Sequence, residues 1–152
     1  MIVSRRNKVT KVKVSGSCHC GKIKINATLI EGKVIACHCT DCQISAGGPF
    51  RVIVQSNGED FEITGGAAEY VKTSADSGNH RIQGFCGTCG SSLYACDLNK
   101  NLFNIRAGCL ENGSEFSPKV HIFGGSSPFW LKEIGKSSWL EKGPGSKQME
   151  FD

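Results

Sequence analysis

The chain is 152 residues long, with 18 basic and 14 acidic side chains, a formal net charge of +4 and nine cysteines. That length suits one domain with its own core, and the charge is too slight for a dedicated nucleic-acid binder. No apolar run reaches the ~18 residues of a membrane span, and the first residues lack the apolar stretch of a secretory leader. A cytoplasmic setting is therefore expected, where closely spaced cysteines read as metal ligands before disulfides.

Residues 1–10, with Arg5, Arg6 and Lys8, read as a loose basic arm. It has no aromatic platform of the kind single-strand binders use, so nucleic acid is not the expected partner. Residues 11–17 alternate polar and apolar, the period of a strand, until Cys18-His19-Cys20-Gly21 interrupts them. Residues 22–29 alternate again, with Ile23 and Ile25 on one face. A short strand over 34–36 leads into Cys37-His38-Cys39-Thr40-Asp41-Cys42. Residues 40–46 have room for one or two helical turns, stopped by Gly47-Gly48-Pro49. Strands are expected at 50–54, 69–73, 80–85, 92–96 and 102–106, with a short strand and turn over 61–66 and further turns at 55–59 and 97–100. Residues 119–123 alternate once more. An aromatic-bearing loop follows over 128–139, the domain closes near 145, and 146–152 read as a frayed tail. No 3.6-residue apolar pattern is sustained, and the 19 glycines favour tight turns. The fold is expected to be a single mostly β domain over 11–145 with short helical turns.

Seven of the nine cysteines cluster: Cys18 and Cys20, then Cys37, Cys39 and Cys42, then Cys86 and Cys89. A zinc–sulfur bond is ~2.3 Å, so two sulfurs on one tetrahedral zinc lie under ~4 Å apart. Residues i and i+2 of a strand share a face ~6.8 Å apart at Cα, and a slight curl at Gly21 brings Cys18 and Cys20 into that range. The spacings Cys39-x-x-Cys42 and Cys86-x-x-Cys89 are knuckle turns. Two closed tetrahedral sites need eight ligands and the clusters supply seven. Either one of two zinc ions keeps a position for a guest molecule, or His38, His80 or His121 completes the second site and both zincs only hold the domain together. The second alternative makes the chain a non-catalytic, zinc-stabilised interaction module.

The order and separation of Ser17-Cys18-His19-Cys20-Gly21, Ala36-Cys37-His38-Cys39-Thr40-Asp41-Cys42 and Phe85-Cys86-Gly87-Thr88-Cys89-Gly90 resemble those of the glutathione-dependent formaldehyde-activating enzymes, a family that includes centromere protein V. Asn104-Ile105-Arg106-Ala107-Gly108, His121-Ile122-Phe123 and Pro128-Phe129-Trp130 extend the resemblance over roughly residues 12–145. It implies a β-tent fold, twisted antiparallel sheets clasping zinc. It implies that Cys18, Cys20, Cys86 and Cys89 form a closed structural zinc site, and that Cys37, Cys39 and Cys42 hold a second, catalytic zinc. The implied activity is that of a carbon–sulfur lyase joining a thiol such as glutathione to a small aldehyde such as formaldehyde. Three thiolates leave a zinc centre at a formal charge of −1, a poor activator of water but a fitting receptor for an incoming thiol.

Other residues have plainer readings beside functional ones. Cys96 and Cys109, in apolar surroundings, read as buried thiols packing as small hydrophobes. His38 should turn away from the ligands that flank it, and His121 either fills a strand position or lines the pocket. Arg51 and Arg106 could fork onto a carboxylate of a peptide-like thiol or make ordinary ion pairs. Asp41 reads as a turn cap or a partner for a lysine. Phe129, Trp130 and Trp139 could wall the site or close one end of the core.

Overall fold

The structure, a computed structural model, describes residues 11–75 and 77–151. The basic arm expected over 1–10 lies outside them, as does the last residue of the expected tail.

A small sheet is formed by β1 (Val12–Ser17), β2 (Lys24–Leu29) and β5 (Phe61–Thr64), in the order β1-β2-β5. The larger sheet runs β10-β3-β4-β9-β8-β7-β6. Its strands are β3 (Val34–Cys37), β4 (Arg51–Asn57), β6 (Ala68–Lys72), β7 (Arg81–Phe85), β8 (Ser92–Cys96), β9 (Leu102–Arg106) and β10 (Val120–Ile122). Alternation explains how the two sheets meet. In β2 the side chains of Ile25, Ala27 and Leu29 are buried while Lys24 and Asn26 face out. They join Val54, Ile82, Tyr94, Phe103 and Ile105 of the larger sheet in one core. Ser56, fully buried, donates its hydroxyl to the Thr28 carbonyl at 2.8 Å and ties the two sheets together.

The mostly β architecture is the one expected, with one departure from antiparallel pairing: β10 lies parallel to β3. The second face of the larger sheet carries polar side chains. Cys37 stands opposite Arg51. Ile53 stands opposite Arg106 and Gln55 opposite Asn104. Asn104 in turn faces Ala95, and Ala95 faces Gln83. Partners in register share a face, so these residues converge on one side. This is the side on which β3 ends in its cysteines.

The single α-helix among the described residues, α1 (Thr40–Ala46), spans the expected 40–46. Its ends explain its length. The Cys39 sulfur caps the first turn by accepting the Cys42 N–H, and Gly47, at φ 62°, returns its N–H to the Gln43 and Ile44 carbonyls. The β4 strand runs on to Asn57, past the expected turn at residue 55, because Gln55, Ser56 and Asn57 all pair with β9. Only 58–60 turn, as one 3-10 turn. The expected aromatic loop contains a 3-10 helix, Phe129–Lys136. Beyond it, β11 (Trp139–Leu140) pairs with β12 (Gln148–Met149) in a two-stranded ribbon for which residues this few give no readable period. No helix among the described residues is long and apolar enough to cross a membrane.

Candidate metal centres

Cys18 and Cys20 lie in the turn between β1 and β2, and Cys86 and Cys89 in the turn after β7. Their four sulfurs fall within 4.8 Å of one another. Cys18 and Cys20 are 3.5 Å apart, Cys20 and Cys86 3.9 Å. Bonds of ~2.3 Å in a tetrahedron put sulfurs ~3.8 Å apart, so this donor set fits a zinc ion. Hydrogen bonds support the sulfurs from both sides. The Ile23 N–H donates to Cys18 Sγ at 3.2 Å. Ser91 Oγ lies 3.2 Å from Cys89 Sγ and accepts the His19 N–H at 3.0 Å, joining the two turns. The Ser91 hydroxyl, helped by the N–H groups of Ser91 and Cys20, brings the Cys89 thiol down to about 5.

The second group is built from the end of β3 and the first turn of α1. Cys37 and Cys39 are 3.6 Å apart, Cys39 and Cys42 3.1 Å, and all three are buried. Among the described residues no fourth His, Cys, Asp or Glu joins them. Hydrogen bonding from Cys42 brings the Cys37 thiol down to about 5 against the opposing effect of burial, with Arg51 adding its charge, while Cys42 is pushed well up as the proton holder. The three sulfurs thus share protons unevenly, with Cys37 the one that gives its proton up most easily. This donor set also fits zinc, with three sulfurs where four ligands complete a tetrahedron.

His38 is not one of the three. It is buried, with Nε2 2.8 Å from His121 Nδ1, and its ring packs on Phe50 at 5.2 Å. Its backbone N–H donates to the Ile122 carbonyl at 3.0 Å, continuing the β3–β10 edge past Cys37. The two histidines thus brace the loop that carries the cysteines. Gln43 does so from the other side, donating to the His38 and Ser126 carbonyls at 2.8 and 2.9 Å.

The cysteine triad opens on a cavity of ≈ 120 Å³ whose lining includes Arg51, Lys72, Gln83, Asn104 and Phe123. That is far below the ~300–1,000 Å³ of pockets for drug-sized ligands. Asp41 at its edge pairs with Lys72 at 3.4 Å, the lysine partnership expected for it, while the turn is capped by Cys39. Phe129, Trp130 and Trp139 do not line this cavity; Phe129 is 90% exposed, and Trp139 donates its indole N–H to the Ile134 carbonyl. The aromatic in the cavity is Phe123, held at φ 54°. A second, more open groove of ≈ 510 Å³ adjoins Arg51 and runs past Arg106, Ser91 and His19. Cys96 is buried as expected, and burial raises its thiol to about 11. Cys109 departs from expectation: it sits in a 3-10 turn, half-buried, on the wall of the groove. Sequence reasoning passed over Gln83 and gave Asn104 no part beyond carrying the family resemblance. Their alternation within strands was visible, but only strand pairing puts them on the face of Cys37.

The sequence model of the glutathione-dependent formaldehyde-activating enzyme family matches residues 13–126, a span that holds both cysteine groups. The chain belongs to this family. Among its relatives is an uncharacterized lyase of Schizosaccharomyces pombe, 31% identical over 93 residues. That match covers 60% of this chain and 64% of the yeast protein's length. The crystal structure of a Rhodobacter sphaeroides protein superposes with a TM-score of 0.55 at 19% identity, over 70% of this chain and 98% of that one, a likeness of fold. As a member of the formaldehyde-activating family, the chain brings two cysteine groups able to hold metal ions to the edges of a mostly β domain.

Proposed function

We propose that the chain is a zinc-dependent carbon–sulfur lyase that joins a thiol such as glutathione to a small aldehyde and releases them in reverse. Cys18, Cys20, Cys86 and Cys89 would hold a closed, structural zinc. Cys37, Cys39 and Cys42 would hold a second, whose chemistry when bound is to take up the substrate thiol as an electron-rich thiolate. The observation that carries this reading is the triad of buried thiols without a fourth protein ligand among the described residues, opening on a small cavity.

The reaction balances without a redox partner. The sulfur lone pair forms the S–C bond, the carbonyl π pair moves to oxygen, and the proton lost from sulfur ends on that oxygen. The reverse step breaks the same S–C bond. Two features of the chain serve this step. Asn104 accepts the Gln55 Nε2–H on its Oδ1 at 2.9 Å, and as a lining residue of the cavity it would donate an amide N–H to the oxygen gaining charge. Ile53, Ile122 and Phe123 supply apolar wall beside the sulfurs, which limits water around the adduct. Thiolates that must stay reduced fit a cytoplasmic setting.

Replacing Cys39 by Ser tests the reading. Zinc content should fall from about two ions per chain to about one, and the acceleration of S-hydroxymethyl adduct formation, followed by NMR exchange, should vanish. Acceleration unchanged in the variant would refute it. A wild-type protein that holds zinc only at the four-cysteine group and accelerates nothing would be the zinc-stabilised module instead.

A further inference from the structure

Arg106 and Arg51 occupy neighbouring strands on the polar face of the larger sheet, and both donate to one acceptor, Gln83 Oε1, at 3.1 and 3.4 Å. Their remaining partners are also neutral: Ser92 Oγ at 3.3 Å and the Asn104 carbonyl at 3.2 Å for Arg106, Ser45 Oγ at 3.5 Å for Arg51. The ion pairs of the described residues, Lys72–Asp41, Lys100–Glu69 and Lys136–Glu133, involve neither guanidinium. Arg106 is only 6% exposed, and Arg51 Nε is buried with no acceptor. A buried cation without an anion is expensive, and two side by side add mutual repulsion. Burial, with the like charge of Arg51 beside it, pulls Arg106 down to about 9. A zinc held by three thiolates would offset one positive charge; the nearest acid among the cavity's described residues, Asp41, is paired with Lys72. Arg51 lines both the small cavity at the cysteines and the larger groove, and Arg106 lines the groove.

We propose that Arg51 and Arg106 form an anion site for a carboxylate of the thiol substrate, so that the chain selects acidic thiols over neutral ones. The thiol's sulfur reaches the triad through the cavity, its carboxylate replaces neutral acceptors at the guanidinium pair, and a peptide-like remainder lies in the ≈ 510 Å³ groove. Charge-assisted, two-pronged hydrogen bonding is the strong form of such a contact. Only the position of the sulfur rests on the lyase reading; the anion site stands apart from it.

The test uses the zinc-loaded protein and its Arg51→Gln variant, with zinc content and melting temperature confirming that the variant is folded. The first probe is 3-(methylthio)propionate, which has a carboxylate and no thiol. It should move the Nε–H NMR signals of Arg51 and Arg106 saturably in the wild type and bind at least about tenfold more weakly to Arg51→Gln. No saturable shift, or equal affinity in the variant, overturns the site. Turnover then assigns the source of the carboxylate. With formaldehyde, 3-mercaptopropionate should exceed 2-mercaptoethanol about tenfold or more in kcat/KM, and the ratio should fall to about one in Arg51→Gln. If the preference instead follows the aldehyde, glyoxylate over acetaldehyde with 2-mercaptoethanol, the assignment to the thiol is overturned. Should no pair turn over while the signals still shift, the lyase reading fails and the anion site survives.

Discussion

Replacing Gly84 by alanine should cost the domain about 3 kcal/mol, for a reason readable at one contact. Gly84 lies in β7 opposite Tyr94 of β8, and the tyrosine ring covers it. A Cβ at Gly84 would meet Tyr94 Cζ at 2.1 Å and Cε1 and Cε2 at 2.4 and 2.5 Å. Carbon atoms pack at ~3.5–4.0 Å, so the ring must retreat by roughly 1.5 Å. It has nowhere to go. Tyr94 is 2% exposed, wedged edge-on between Phe61 and Phe103 at 5.4 and 5.2 Å, with its hydroxyl donating to Glu69 at 2.5 Å. Overpacking costs about 1–3 kcal/mol, and disturbing the buried phenol's hydrogen bond about 1–3 more. The stiffer unfolded chain returns less than ~1 kcal/mol. With an unfolding entropy of ~2.1 cal/mol/K per residue over about 140 described residues, ~3 kcal/mol lowers the melting temperature by ~10 °C. The assay is thermal unfolding at fixed zinc, since bound metal itself raises the midpoint. Gly87→Ala in the adjoining knuckle is the control: its Cβ would touch only Ala68 Cβ at 3.7 Å, so a change within ~2 °C is expected there. Equal midpoints for Gly84→Ala and the wild type would refute the reasoning.

Two further outcomes follow from polar contacts. Ser56→Ala removes the buried hydroxyl bond to the Thr28 carbonyl between the sheets and should lower stability by about 1–2 kcal/mol, read as a lower urea midpoint at unchanged slope; an unmoved midpoint would show that the bond contributes nothing. Glu69 governs part of the acid response: burial works against its carboxylate, but the Tyr94 hydroxyl and the Lys100 ammonium outweigh it and hold the group below its ordinary range. The unfolded carboxyl titrates near ~4.3, so the contribution is whole above that value and fades as pH falls through the lower folded value. Glu69→Gln should flatten this acid limb of melting temperature against pH, and an identical limb in the variant would contradict the assignment.

How far the sequence foretold this depends on whether a feature is local. The α1 helix was readable to the residue because its stop, Gly47, and its start at the cysteine loop are written within nine positions. The knuckles were readable for the same reason. Strand alternation located β2 and β7, but it did not say that β5 would leave its sequence neighbour β6 for the small sheet while β9 inserted between β4 and β8. Pairing across the sheet is decided by burial far along the chain, and so are its consequences. Gln83 looked like an ordinary strand residue until it appeared between two guanidiniums. Phe129 and Trp130 misled because aromatics predict burial on average, whereas here the cavity takes its ring from Phe123.

The parallel seat of β10 beside β3 bears on how the protein is made. The triad is complete once residue 42 has been translated, yet the edge that steadies it, including the Ile122 carbonyl that receives the His38 N–H, belongs to residues 120–122. From residue 42 to residue 120 is a wait of 78 positions, about 4–16 s at a translation rate of ~5–20 residues/s. For that interval the nascent chain carries three neighbouring thiols without their final support. Oxidants can reach them more readily then than after residues 120–122 have paired with the strand that carries Cys37, whereas the four sulfurs from Cys18 to Cys89 are all made before that edge forms.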